Sequence, residues 1–191
     1  MKFKIVQADK NDAPLIARTI AVALHMDQPH GTIEVDDEEM QLWNRIFTVL
    51  ATREDSQYSY LNTLKAIDQE GKVLGMIINY DGARLHHLRE AFFEEVEKIT
   101  GKKFGKIYDE TSPEEWYLDS LAVWPEYRGN GIGTALLEAA IQNAHSVGKP
   151  AGLLVDKSNI KERKLYESLG FRVVGETPFA GTIMDHMKLN K

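Results

Sequence analysis

The chain has 191 residues, 43% of them hydrophobic and 27% charged, which suffices for one substantial core and is short for two separate domains. Its formal charge of -6 gives no global electrostatic support to a nucleic-acid or anionic-membrane partner. Cysteine is absent, which excludes disulfides and a cysteine nucleophile, and with no apolar leader and no stretch near the ~18 residues of a membrane span the composition predicts a cytoplasmic protein.

The first half of the chain is predicted to alternate short strands with amphipathic helices. The predicted strands are 3–8, 61–68 and 72–80, and the last two flank a Gln-Glu-Gly turn, which is typical of an antiparallel hairpin. The predicted helices are 12–26, with Asp12 as its N-cap, 36–55 and 83–100. A loop, 26–35, separates the first two helices.

The third predicted helix, 83–100, carries an apolar stripe. Its members recur at helical spacing and are Leu85, Leu88, Phe92, Val96 and Ile99. Gly101 follows where a C-terminal cap glycine belongs. The stripe indicates a cover on the core or a contact in a homodimer, and a lid over a substrate is the sharper alternative.

The second half begins with a polar loop, 101–115, and is then rich in strands. Strands are predicted at 116–123, 151–156, 171–176 and 182–189, and helices at 134–147 and 159–170. Because a helix joins the first two of these strands, they form a βαβ unit with a right-handed crossover.

A glycine-rich turn, Arg128-Gly-Asn-Gly-Ile-Gly-Thr134, connects strand 116–123 to the helix that follows it. The first N–H groups of a helix have no partner within the helix, and the helix dipole is positive at that end. Glycines let a phosphate approach this backbone with no Cβ in the way. The turn therefore predicts a phosphate site, and a plain tight turn is the alternative.

Two common phosphate-binding motifs are disfavoured. A Walker A loop needs a lysine directly before its Ser or Thr, and Ile132-Gly133-Thr134 has none. A dinucleotide fingerprint that starts at Gly129 needs glycine where Thr134 stands, and too little chain follows Asp156 for a doubly wound sheet. An ATPase and a nucleotide-dependent oxidoreductase are therefore poor interpretations.

The turn and its surroundings resemble a known family. The stretch LAVWPEYRGNGIGTALLEAA is similar to the acetyl-CoA-binding motif of the GNAT N-acetyltransferase superfamily, [RQ]-x-x-G-x-[GA], which Arg128, Gly131 and Gly133 match. The stretch NIKERKLYESLGF resembles the family's second motif, and its matching residues are Asn159, Tyr166, Gly170 and Phe171. Glu162 departs from the pattern, since the family usually has alanine there.

The resemblance implies an α/β fold with a mixed, mostly antiparallel central sheet, splayed at the acetyl-CoA site and flanked by helices. We expect a single domain over 1–191 with a helical insertion at about 82–114. Acetyl-CoA would be the co-substrate, its pyrophosphate held by the glycine-rich turn and its pantetheine arm by strand backbone. The implied cofactor-binding residues are Leu121, Ala122, Val123, Arg128, Gly129, Asn130, Gly131, Ile132, Gly133, Thr134, Asn159 and Tyr166.

Three residues are candidates for proton transfer. Strand alternation places one set of side chains on a common face unless a bulge intervenes, namely Glu115, Tyr117, Asp119, Leu121 and Val123. An amine attacks only when neutral, so Asp119 is the first choice for the general base and Glu115 the second. Tyr166 matches the family's tyrosine and is the candidate acid for the departing thiolate. Surface exposure of the carboxylates and core packing of the tyrosine are the alternatives.

We therefore expect an N-acetyltransferase that passes the acetyl group of acetyl-CoA to a primary amine of a small molecule or peptide by direct attack in a ternary complex. The alternative is a CoA-binding sensor without turnover. The resemblance implies an acceptor pocket built from 25–50, Tyr80, 82–114 and 176–186. No metal is expected, because His25 and His30 lack neighbouring ligands at metal spacing.

Overall fold

The computed structural model describes residues 1–26, 36–103, 105 and 107–190, so most of the predicted loop 26–35 lies outside the described residues. The helices are α1 (Ala13–Ala23), α2 (Asp37–Thr52), α3 (Leu85–Thr100), α4 (Ile132–Ser146) and α5 (Ile160–Ser168). The strands are β1 (Phe3–Gln7), β2 (Thr63–Asp68), β3 (Val73–Asp81), β4 (Trp116–Val123), β5 (Ala151–Asp156), β6 (Arg172–Phe179) and β7 (Thr182–Leu189). The predicted elements are all present, with boundaries shifted by a few residues.

The strands form one sheet in the order β1-β2-β3-β4-β5-β7-β6. Each neighbouring pair is antiparallel except β4 and β5, the two strands that α4 connects. These two pair only at Trp116 with Ala151 and at Tyr117 with Gly152, and beyond that point they diverge. The predicted mixed, mostly antiparallel and splayed sheet is therefore confirmed.

Helices cover both faces of the sheet. On one face α1 and α2 bury apolar side chains at helical spacing, among them Ile16, Ile20, Ile46 and Leu50. On the other face α4 buries Leu136, Leu137, Ala140 and Ala144 against the strands, and α5 adds Tyr166. The sheet is thus a middle layer, and its splayed strands open between two packed cores.

Helix ends largely follow the sequence signals. Asp36 and Glu39 form a reciprocal capping box at the start of α2, and Gly101 ends α3 with φ 68°. Asp12 stands at the N-cap of α1 as predicted, but its side chain makes no capping hydrogen bond to this helix. Its carboxylate accepts from the Asp9 amide at 2.8 Å and pairs with Lys65 of β2, which joins the helix start to the sheet.

The apolar stripe of α3 packs into the core. Leu88, Ala91 and Val96 are buried, and Phe92 and Ile99 are half-buried against the core under α1 and α2. The helix therefore covers the core, which is the first of the roles predicted for its apolar stripe. Among the described helices, none has the length and apolar character needed to cross a bilayer.

Candidate active site

The glycine-rich turn is held open by its own side chains. Gly129 and Gly131 both have φ 77°, a left-handed conformation that favours glycine, and an added Cβ at either would meet nothing within 4 Å. The Arg128 Nε donates to the carbonyl of Val123 at 3.0 Å, and the Asn130 amide donates to the carbonyl of Tyr127 at 3.0 Å. These hydrogen bonds fix the backbone of the turn, and no side chain of Gly129 or Gly131 covers it.

The backbone N–H groups of residues 129–134 donate to no other part of the described chain. The first amide after them to find a partner is that of Ala135, which donates to the carbonyl of Gly131 at 3.0 Å. No side chain caps α4 at this end. A run of free donors at a helix N-terminus suits the oxygens of a pyrophosphate.

The divergence of β4 from β5 opens a gap beside the turn. Since β4 has no partner on that side beyond Tyr117, the edge that carries Leu121, Ala122 and Val123 faces the gap. A cavity of about 70 Å³ lies in the gap, and its walls include Asp119 and Ser120 of β4, Val155 of β5, and Asn159 and Glu162 at the start of α5.

Asp119 lies at a β-bulge. Ser120 pairs with Ile78 and Leu118 pairs with Asn79, so Asp119 is left without a partner on β3. The extra residue shifts the alternation, and the prediction of one common face is wrong beyond this point. Leu121 and Val123 pack with the core under α4, whereas Tyr117 packs with Tyr80, and Asp119 accepts a hydrogen bond from the same Tyr80.

The Asp119 carboxylate is enclosed by polar groups. Its Oδ1 accepts from the Ser120 hydroxyl at 2.7 Å, and its Oδ2 lies 3.3 Å from the Tyr80 hydroxyl. The same hydroxyl lies 3.1 Å from Oε1 of Glu110, which is buried and paired with Arg89. Burial raises the pKa of Asp119 to about 7, the negative charge of Glu110 adds to the effect, and the hydrogen bonds oppose it.

Glu115, just before β4, has a different environment. Its carboxylate is fully buried and accepts from Thr111 Oγ1 at 2.6 Å, while Oε2 lies 3.0 Å from His186 Nε2 and 2.9 Å from Lys188 Nζ. Burial alone would raise the pKa of Glu115, but the hydrogen bonds from these partners, with His186 foremost, lower it to about 2. An added Cβ at Gly152 would lie 2.3 Å from Glu115 Oε2, so the carboxylate needs glycine beneath it.

The second family motif supplies Asn159 and Tyr166. Asn159 caps α5, since its Oδ1 accepts from the Glu162 amide at 3.2 Å, and it also lines the small cavity. Tyr166 is buried edge-on against Phe171, with ring centroids 6.1 Å apart, and does not line that cavity. Burial raises the pKa of Tyr166, with the charge of Glu162 adding to the effect.

A larger cavity of about 540 Å³ adjoins the first. Its walls come from the end of α1, from α2 and α3, from Gln57 and Tyr58, from residues 107–110 and from the β6–β7 hairpin. They overlap the regions predicted for the acceptor pocket, although Tyr80 does not line this cavity. Leu24, Tyr58 and Phe179 border both cavities, so Asp119 lies one layer of side chains away from the larger one.

Sequence reasoning missed the polar end of this larger cavity. Arg89, Glu110 and Gln57 meet there, where the Gln57 amide donates to Glu110 at 3.3 Å. One signal was available, because Arg89 falls on the apolar stripe of α3, four residues after Leu85, and a charge on such a stripe needs a buried partner. No group of three or more His, Asp or Glu residues in the described chain could hold a metal ion.

Comparison with known proteins decides the family. The family described as the acetyltransferase (GNAT) family matches residues 21–171. The chain belongs to the GNAT acetyltransferase family. Its enzyme class, an acetyl-CoA-dependent acyltransferase, and acetyl-CoA as co-substrate are confirmed at the level of this family.

Similar proteins support the same assignment. A solved acetyltransferase structure is 32% identical, with a TM-score of 0.76 and 97% of each chain covered. An N-acetyltransferase from Staphylococcus aureus Mu50, 22% identical over 97% of this chain and 100% of its own, has a TM-score of 0.79 and supports the fold. A mycothiol acetyltransferase from Propionibacterium freudenreichii is 33% identical over 82 residues, which are 42% of this chain and 26% of that protein. The chain thus matches about a quarter of the length of this curated relative.

Proposed function

We propose that this GNAT enzyme is an N-acetyltransferase that joins the acetyl group of acetyl-CoA to a primary amine by direct attack in a ternary complex. The observation that carries the proposal is the placement of Asp119. Its carboxylate lies at a bulge where β4 and β5 diverge, in a cavity that borders a larger one. The cytoplasmic location stays a prediction from composition.

The residues of the turn fit the CoA part of the co-substrate. Residues 129–134 present backbone donors to a pyrophosphate, and the open edge of β4 at Leu121, Ala122 and Val123 offers backbone groups to pantetheine amides. Acetyl-CoA supplies the acyl group as an activated thioester. Backbone N–H groups near Leu121 and Ala122 would stabilise negative charge on the carbonyl oxygen during attack.

Asp119 is the proposed general base. A carboxylate with a pKa of about 7 is substantially ionised at neutral pH and still basic enough to accept a proton from an amine that becomes acidic as its new bond forms. Glu115, with a pKa of about 2 and its oxygens held by Thr111, His186 and Lys188, is a weak base and is assigned to structure.

Tyr166 is retained as the candidate acid. It matches the tyrosine of the second motif and lies on α5, the helix whose start borders the small cavity. A phenol whose pKa is raised stays protonated and can donate to the departing sulfur. Asn159 caps the same helix and borders the small cavity.

The experiment has two stages. Acetyl-CoA is first titrated into the wild type and into Gly131→Val calorimetrically, and the variant should lose affinity at least ~100-fold because a branched side chain strains φ 77° and covers the free donors. A panel of primary amines and matched alcohols is then screened for thiol release. Amine-dependent release with intersecting initial-rate lines supports the proposal, and Tyr166→Phe should lower that rate.

Three results would contradict the proposal. Acetyl-CoA binding without release for any amine would favour a sensor over an enzyme. Release with alcohols but not amines would change the acceptor atom. Unchanged affinity in Gly131→Val, with the fold intact by circular dichroism, would remove the turn from the binding site.

A further inference from the structure

The larger cavity, of about 540 Å³, has an aromatic wall. Trp43 stacks on Phe47 and on Phe92, with ring centroids 5.6 Å and 6.3 Å apart and interplanar angles of 24° and 5°. Tyr58 meets Phe47 edge-on at 5.4 Å, and Phe179 also lines the cavity. Trp43 and Phe47 come from α2, and the fold brings them together with Phe92 of α3. A flat apolar surface of this kind suits an aromatic ring of a ligand.

The described part of the cavity wall offers no unpaired cation to a ligand carboxylate. Among the described residues that line it, Arg89 is the single cation. Its guanidinium donates to Asp109 Oδ1 at 3.0 Å and to the Tyr108 carbonyl at 3.4 Å, and it pairs with Glu110. A ligand carboxylate here would lose water without gaining a partner, which costs binding energy.

The position of Asp119 orients a ligand. Tyr58, Leu24 and Phe179 border both the larger cavity and the small cavity that holds Asp119. A ring against Trp43 and Phe92 would direct a short side arm toward this shared boundary, and the Asp119 carboxylate lies on its other side. The larger cavity also lies in the range typical of small-molecule sites, roughly 300 to 1,000 Å³.

We propose that the acceptor is an arylalkylamine, a primary amine joined by a short chain to an aromatic ring and carrying no carboxylate. This inference rests on the proposed function and adds the substrate class. In the reaction the amine nitrogen bonds to the acetyl carbon, the carbon–sulfur bond breaks, the nitrogen gives one proton to Asp119, and the sulfur takes up one proton and leaves as the CoA thiol. The products are an N-substituted acetamide and CoA.

Matched pairs of amines test the class. With saturating acetyl-CoA, thiol release is compared between tryptamine and tryptophan and between phenethylamine and phenylalanine. Putrescine, which has no ring, and the tripeptide Trp-Gly-Gly serve as control acceptors. The kcat/KM of each amine should exceed that of its amino acid at least ~100-fold, because the carboxylate would be buried unpaired. Putrescine should be poorer than tryptamine by at least ~10-fold, since it buries no ring. Equal rates for tryptophan or putrescine, or activity with the tripeptide alone, would overturn the proposal.

Neighbouring phenylalanines on α3 provide a matched variant pair. Phe92 lines the cavity and Phe93 does not, although both are half-buried. Phe92→Ala should raise the KM of phenethylamine ~10- to 100-fold and leave the affinity for acetyl-CoA unchanged, whereas Phe93→Ala should change neither more than about threefold. Equal effects of the two variants would contradict the assigned wall.

A binding measurement separates the inference from the proposed function. Phenethylamine is titrated alone while tryptophan fluorescence is followed, in the wild type and in Trp43→Phe. A saturable change that is lost in the variant supports the site even where turnover is absent, and no change at millimolar amine overturns it. Failure of acetyl-CoA to bind, or of any amine to release thiol, counts against the proposed function instead.

Discussion

Glu115 and Asp119 stand four residues apart in one stretch of chain, yet their carboxyl pKa values are about 2 and about 7. Glu115 is fully buried, and Asp119 is half-buried. Glu115 is bound by the Lys188 ammonium and by His186, whereas Asp119 is bound by the Ser120 and Tyr80 hydroxyls and faces the charge of Glu110, whose effect exceeds that of Arg89. The difference shows that burial sets a carboxylate's role only together with its partners.

The largest expected effect comes from Asp119→Asn. The amide cannot accept the amine proton, so turnover should fall by about 10²–10⁴ with little change in acetyl-CoA affinity. Single-turnover thiol release and calorimetry on the same preparation measure the two quantities. Turnover within about threefold of the wild type would mean that another group is the general base, and the functional difference between Asp119 and Glu115 would be contradicted.

The same variant should be more stable than the wild type. A pKa raised in the folded state means that ionisation of Asp119 destabilises the fold, so the gain of the asparagine variant should grow as pH rises from about 4 to about 7 and then stay constant. The shift from 3.8 to about 7 sets an upper limit of about 4 kcal/mol on this gain above pH 7, and partial exposure of Asp119 reduces it. Thermal unfolding of both proteins between pH 4 and pH 8 measures it.

Glu115→Gln should lower the stability of the fold and leave turnover unchanged, the opposite of Asp119→Asn. It leaves His186 and Lys188 facing a neutral group, and removing one member of a buried ion pair costs about 3 kcal/mol. Because a lowered folded-state pKa stabilises above the unfolded value of about 4.5, the deficit should be full at neutral pH and shrink as pH falls toward about 2. Turnover per folded molecule should stay near the wild-type rate.

Glu114→Gln is the matched control for this prediction. Glu114 precedes Glu115 directly and is exposed, so its substitution should change the free energy of unfolding by less than about 0.5 kcal/mol. Urea unfolding at pH 7 compares the two variants. An equal loss in both, or a loss of turnover in folded Glu115→Gln comparable to that of Asp119→Asn, would contradict the division of roles.

Local sequence patterns predicted the elements and the phosphate turn because these depend on near neighbours. Gly131 needs φ 77° for reasons contained in the turn itself, and the stripe of α3 is visible from spacing alone. The end of β6 was predicted at 176, before Pro178, yet the strand continues to Phe179. It is an edge strand, where proline is tolerated because one side of the strand needs no ladder bonds.

The bulge and the carboxylate partners could not be predicted in the same way. Nothing in WYLDSLAV marks an extra residue at Asp119, because the bulge depends on the register with β3. Arg89 and Glu110 are 21 residues apart, and Glu115 and His186 are 71 apart, so their pairing exists only after the sheet has formed. The sequence therefore supplied these residues as candidates, but not the opposite shifts of the pKa values of Glu115 and Asp119.

The smallest expected effect concerns the partners of Asp119 and uses two substitutions of opposite sign. Ser120→Ala removes the hydrogen bond of 2.7 Å that lowers the pKa of Asp119, so the acid limb of the kcat/KM profile should move to higher pH. Glu110→Gln removes the negative charge that raises this pKa, so the limb should move to lower pH. Each shift should be less than about one pH unit, since a neutral hydrogen bond contributes about 1 kcal/mol.

The measurement is the rate of thiol release at limiting amine from pH 5 to pH 9, corrected for ionisation of the amine itself. The wild-type limb should lie near pH 7, because the base must be deprotonated to accept a proton. Shifts of the same sign in both variants would mean that the limb reports another group. If the two variants shift the acid limb in opposite directions and Glu115→Gln leaves it in place, the limb reports the ionisation of Asp119. Glu115 is ionised throughout this pH range.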